Sequence, residues 1–156
     1  TSPECWEMGT KSFEALAGFC AAIDYMCSFS DKATVREQLE EFYSHVFDYE
    51  YSLIEHFFDK ARLLPAMNVY GIQDAEKWKL RTPTFAFTIK GFHPQEVSDH
   101  LAHNNISTGA GNFYAKGLVD ALGLAEKGGV VRAGCLHYNR KQEITMLFEA
   151  LASLNR

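Results

Sequence analysis

The sequence predicts an α+β fold preceded by two helices, and three observations carry that reading. Residues 12–29 and 34–63 are helix-forming runs, the second with apolar residues at three- and four-residue spacing. From residue 64 onward, short runs of aromatic and β-branched residues alternate with amphipathic segments in the order β-β-α-β-α-β-α. With 156 residues, 47% of them hydrophobic and 22% charged, the chain can bury one sizeable core and is unlike a disordered composition. The sheet is expected to be small and mainly antiparallel, with helices on one face.

Each element has a local reason. Between residues 11 and 29 only Lys11, Glu14 and Asp24 are charged, and Ala, Leu, Phe and Met dominate. Phe13, Leu16, Phe19, Ala22, Ile23 and Met26 fall on nearly every side of the helix from Ser12 to Phe29, and a helix apolar all round belongs inside a larger body. Thr34-Val-Arg-Glu37 reads as a capping box that opens a second helix, which stops near Leu63 because Pro65 disfavours helical geometry at Leu64. Met67–Gly71 and Thr82–Ile89 read as strands joined by the charged loop Gln73–Leu80. His93-Pro94 opens a helix that ends near Asn104 and Asn105. A third strand is expected at Ile106–Thr108, a Gly-rich turn at Gly109–Gly111, a helical piece at Tyr114–Leu122, a strand at Val130–Gly134, and a closing helix from Lys141 to Leu154. The sequence shows neither an internal repeat nor a low-complexity segment.

Charge narrows the function classes. Fifteen Lys and Arg against twenty Asp and Glu leave a net charge of −5, and there is no basic stripe, so neither nucleic acid nor an anionic membrane is expected as a partner. The stretch Leu16–Met26 is too short to cross a bilayer and is broken by Asp24, so no membrane span or signal peptide is expected. Cys5, Cys20, Cys27 and Cys135 form no C-x-x-C pair and no zinc-spaced cluster, which fits reduced thiols and a cytoplasmic location.

Three places can carry chemistry, each with a plain alternative. Gly9-Thr10 at a helix mouth could meet a phosphate, or Thr10 could simply cap the helix. Arg132 sits inside a strand, where a guanidinium either pairs with an internal acid or waits for a carboxylate or phosphate. Strand alternation puts Val131, Ala133 and Cys135 on the opposite side from Arg132 and Gly134, so the Cys135 thiol is not a neighbour of Arg132. Gly109-Ala-Gly-Asn-Phe-Tyr114 could present Asn112 and Tyr114 as a binding loop, or serve as a connection. His45, His56, His93, His100, His103 and His137 form no ligand set, so solvated surface is expected rather than a metal site. There is no Ser-centred elbow, P-loop or paired-carboxylate signature.

Several of these segments together resemble one family. Trp6-Glu-Met-Gly-Thr10, Leu16-Ala-Gly18 and Ala21-Ala-Ile-Asp-Tyr25 are similar to the Glu-x-Gly-Thr and Ala-Gly-x-x-Ala-Ala-x-x-Tyr pattern of class V aminotransferases, in the cysteine desulfurase and selenocysteine lyase branch. Arg81-Thr-Pro-Thr-Phe-Ala-Phe, Gly111-Asn-Phe-Tyr-Ala115, Val131-Arg-Ala-Gly and His137-Tyr-Asn139 resemble its small-domain landmarks in the same order.

The resemblance implies a dimeric enzyme that uses pyridoxal 5′-phosphate on an amino-acid substrate, with a Schiff-base lysine upstream of the Gly-Thr motif. None of Lys11, Lys32 and Lys60 stands in that setting, so the chain is expected to match a C-terminal portion that is inactive alone. Residues 1–31 would then belong to the large cofactor domain, 32–63 to a connecting helix and 64–156 to the small domain. The same resemblance implies that Gly9 and Thr10 reach the cofactor phosphate of the other subunit and that Arg132 grips the substrate α-carboxylate. Asn112 and Tyr114 would lie at the substrate. In desulfurases that loop carries a cysteine nucleophile; Tyr114 stands nearest its place, and a phenol cannot hold a persulfide. The reaction class is thus open among aminotransferase, lyase and epimerase. A stand-alone α+β binding or interaction module is the competing reading.

Overall fold

The computed structural model describes residues 4–6 and 9–154. The chain divides into two compact units, residues 1–47 and 48–156.

The first unit holds α1 (Phe13–Cys27) and the opening half of α2 (Val35–Ala61). Ser12, not Thr10, caps α1, its hydroxyl accepting the Ala15 amide at 3.4 Å; the two hydroxyl residues stand close together, and the helix starts after the later one. No residue of α1 is buried within the described structure, and Phe13, Leu16 and Phe19 are exposed. Tyr25, Phe29 and Phe42 make edge and tilted ring contacts, with centroids 5.1–6.4 Å apart. The capping box at α2 forms as expected: Glu37 accepts the Thr34 amide at 3.1 Å, and the Thr34 hydroxyl accepts the Glu37 amide at 3.3 Å.

The second unit is a four-stranded antiparallel sheet with helices on it. β1 (Met67–Tyr70), β2 (Thr84–Ile89), β3 (Gly109–Gly111) and β4 (Val130–Gly134) lie in the order β1-β2-β4-β3. Alternation along β2 and β4 aims Phe85, Phe87, Ile89, Val131 and Ala133 into the core. There they meet Leu53, Ile54, Phe57 and Phe58 from the end of α2, Val97 and Leu101 from α3 (Pro94–His103), and Ile144, Leu147, Phe148 and Leu151 from α5 (Lys141–Ala152). Phe57 lies flat on Phe85 at 3.5 Å between centroids and edge-on to Phe148. A smaller cluster joins Val119 of α4 (Lys116–Ala121), Leu124 and Val130 to Tyr70, Ala86 and Phe113.

Three local expectations change. The third strand is Gly109–Gly111, not Ile106–Thr108. Ile106 instead closes the end of α3, donating its amide to the Leu101 carbonyl at 2.9 Å, while the buried Ser98 hydroxyl donates to the Thr108 carbonyl at 3.0 Å. The expected loop 73–80 contains a 3-10 turn, Ala75–Leu80, that buries Trp78. Four histidines also bond within the chain: exposed His93 caps α3 through Nδ1 and exposed His103 bonds the Asp99 carbonyl at 2.7 Å, while half-buried His100 bonds the Ala150 carbonyl and half-buried His56 the Thr145 hydroxyl, each at 2.9 Å.

Candidate functional site

Arg132 emerges from β4 on the face away from the main core, with exposed Gly134 on the same side and buried Val131 and Ala133 on the other. Its cross-strand partners are Ala86 on β2 and Gly109 on β3, two small residues that leave the guanidinium room. It lines an open cleft of about 580 Å³ together with Thr84, Ser107, Thr108, Gly109, Phe113 and Gly134. No carboxylate of the described residues pairs with Arg132; the ion pairs formed elsewhere join Arg36 to Glu40, Arg62 to Asp59 and Lys77 to Asp74. An aromatic face lies against it, with Cζ 4.1 Å from the Phe113 ring centroid. Of the two readings left open for this residue, an internal ion pair does not form among the described residues.

Nothing in the sequence singles out Phe113, yet it is the loop residue that reaches the cleft. Asn112 and Tyr114 are exposed, and neither lines it. The Asn112 side chain accepts the Tyr114 amide at 3.1 Å, a local turn bond. Phe113 and Tyr114 both hold left-handed backbone, φ 51° and 60°, which delays α4 to Lys116. An arginine in a strand with no acid at matching register was the one available hint that a ring should lie nearby.

Cys135 behaves as its alternation requires. It packs against the main core, and burial, with Glu143 and Glu50 adding to it, pushes its thiol up to about 11. Such a thiol is protonated at neutral pH and is not a nucleophile. Arg81 is the second unusual guanidinium: it donates to the Ile72 carbonyl at 2.5 Å and the Thr84 carbonyl at 2.8 Å, over the rings of Phe58 and Phe85. Burial lowers its pKa. It ties down the start of β2, where Thr84 joins the cleft wall.

The first unit holds the other expected site. Gly9 and Thr10 are exposed ahead of α1, and apart from its chain neighbours no described residue comes within 4 Å of a Cβ built on Gly9. Glu7 and Met8 of the same motif lie outside the described residues. No group of three or more His, Cys, Asp or Glu among the described residues could hold a metal ion. No described helix is long and apolar enough to cross a membrane.

The family model for class-V aminotransferases matches residues 1–147. This chain belongs to that family. It is 29% identical over 99% of its length to an uncharacterised protein of Mycobacterium tuberculosis, of which it covers 37%. It is 36% identical over 64% of its length to an aminotransferase-like protein of Gibberella zeae, covering 24% of it. In fold it resembles the apo cysteine desulfurase of Thermococcus onnurineus, at TM-score 0.76 and 21% identity over 96% of this chain and 32% of that one. The Escherichia coli cysteine desulfurase CsdA gives TM-score 0.73 at 23% identity, over 97% and 33%. The class-V chain thus spans about a quarter to somewhat over a third of the length of these proteins.

The described residues do not by themselves fit a complete pyridoxal-phosphate site. All nine lysines are exposed except half-buried Lys60, and none is enclosed beside a cleft where a Schiff base could be shielded from water.

Proposed function

We propose that this chain is the C-terminal portion of a pyridoxal-phosphate enzyme that acts on an amino acid, and that Arg132 binds the substrate carboxylate. The observation that carries the reading is a guanidinium held in an open cleft with no carboxylate among the described residues paired to it. Arginine presents two parallel N–H groups that match a carboxylate edge, and such charge-assisted pairs are the stronger hydrogen bonds. The cofactor, carried elsewhere, supplies the electron sink; this chain's share is to bind and orient.

Thr84, Ser107 and Thr108 add hydroxyls to the same cleft. Asn112 holds the loop that carries Phe113, and the exposed Tyr114 beside it is assigned a role as a hydroxyl donor that cannot carry sulfur. Gly9 and Thr10 are assigned to the cofactor phosphate of a partner subunit in a homodimer. Their exposure supports a contact outside this chain. The reaction stays within amino-acid chemistry, as transfer, lyase or epimerase.

Arginine side-chain NMR tests the central point. In ¹⁵N-arginine-labelled protein, the Arg132 Nε–H signal, assigned by its loss in Arg132→Ala, should shift saturably with millimolar L-alanine or acetate. Chloride at equal ionic strength should not reproduce it. A response no different from that to chloride would overturn the assignment.

A further inference from the structure

We infer that Phe113 is a positioning residue for Arg132: its ring face holds the guanidinium over the cleft before any ligand arrives. The inference rests on the reading of Arg132 as the carboxylate site. Three observations converge on it. Cζ of Arg132 lies 4.1 Å from the ring centroid, well inside the range of about 6 Å where a cation is attracted by an aromatic face. Gly109, which pairs with Arg132 across the β3–β4 register, lies against the same ring; a Cβ there would stand 2.8 Å from Phe113 Cε1. Phe113 also packs against the Val119, Leu124 and Val130 cluster, so the ring is anchored.

The backbone points the same way. Left-handed geometry is costly for a bulky residue, and here it occurs at two successive ones, Phe113 and Tyr114. The turn is held by the Asn112 side chain on the Tyr114 amide and by the Ala115 amide on the Asn112 carbonyl at 2.8 Å. A glycine would take this conformation freely but could not provide a ring.

The chemistry follows from covering one face of the guanidinium. A free arginine must give up rotamer freedom when it binds, and one already stacked gives up less. With a ring on one face, the N–H groups along the edge remain for a planar anion, which favours a carboxylate bound through two parallel hydrogen bonds.

The test compares three versions of the full chain. Phe113→Leu keeps apolar bulk without the ring; Phe113→Tyr keeps the ring; pentafluorophenylalanine placed at 113 alone keeps the shape and reverses the polarity of the face. In the wild-type chain the Arg132 Nε–H proton should be displaced upfield by the ring current. Phe113→Leu should abolish that displacement and weaken acetate binding about three- to tenfold. Phe113→Tyr should keep both, and the fluorinated ring should weaken binding while lowering the unfolding midpoint only slightly. If Phe113→Leu fails to fold, the fluorinated variant decides. Unchanged acetate affinity with the fluorinated ring, or with a folded Phe113→Leu, overturns the inference. A ring-shifted Arg132 that answers to no carboxylate would instead overturn the reading on which it rests.

Discussion

The two unusual arginines should part company under mutation. Arg81→Ala removes two short hydrogen bonds to carbonyls, at 2.5 and 2.8 Å, and a long one to Thr82 at 3.3 Å. A hydrogen bond to a charged group contributes about 1.5–3 kcal/mol net, but that figure does not apply equally to both short bonds. The Thr84 carbonyl is accessible and would be rehydrated, whereas the Ile72 carbonyl is partly buried. The guanidinium also covers Phe58 and Phe85 at 5.0 and 4.8 Å, each contact adding about 0.5–1 kcal/mol. Its own lost hydration offsets part of this. The expected loss is about 2–3 kcal/mol, or roughly 5–10 °C in Tm. Arg132→Ala, with one ring contact and no carbonyl or carboxylate to abandon, should cost less than about 1 kcal/mol. Urea unfolding followed by Trp78 fluorescence measures both, in a Trp6→Phe background that leaves a single tryptophan. Trp78 stacks on Phe58 at 4.9 Å, so it reports from beside Arg81. A wild-type midpoint for Arg81→Ala, or a larger loss for Arg132→Ala, would refute the division into one structural and one ligand-facing arginine.

Two further outcomes follow from the thiols and lysines. Iodoacetamide at pH 8 should label exposed Cys5 and Cys20 well before Cys135, whose thiol, moved from 9.0 to about 11, holds about a hundredfold less thiolate; mass spectrometry of partly labelled protein checks the order. Because the unfolded thiol ionises first, this group's contribution to stability should decline as pH rises from about 9 towards 11. Mixed with pyridoxal phosphate and borohydride, the chain alone should trap no stoichiometric adduct at a single lysine, since none is enclosed; one uniquely modified lysine in the peptide map would refute that.

Where one side chain's chemistry dictates local geometry, the sequence could be read directly. Thr34 and Glu37 predict their reciprocal cap, and the alternation through Val130–Gly134 separates Arg132 from Cys135 before any coordinates are seen. β3 could not be read this way, because Gly-Ala-Gly has no side-chain pattern of its own. Its place comes from close approach: a Cβ on Gly129 would run into the Gly111 carbonyl, and one on Gly109 would press on Phe113. Ser98 and Thr108 are ten residues apart, and their bond pulls the expected strand out of the sheet. For the site, Arg132 was legible as a choice between two environments. Phe113 was not, since its importance lies in a left-handed turn and a ring face that exist only once β3 and β4 have paired.

The order β1-β2-β4-β3 carries a consequence for synthesis. β4 is the last strand to be made, yet it lies between the second and third. On the ribosome the β1–β2 hairpin can close as soon as Ile89 emerges, but β3 has no neighbour until Gly134 follows, 134 − 89 = 45 residues later. At about 5–20 residues per second, that interval is roughly 2–9 s. Throughout it the apolar face of β2, joined by that of α3 once Pro94–His103 is made, lacks β4, and α5 comes later still, so this is a period when the nascent chain exposes apolar surface. The strand that ends the interval is the one that carries Arg132, so the cleft lined by Arg132 forms in the same step that completes the sheet.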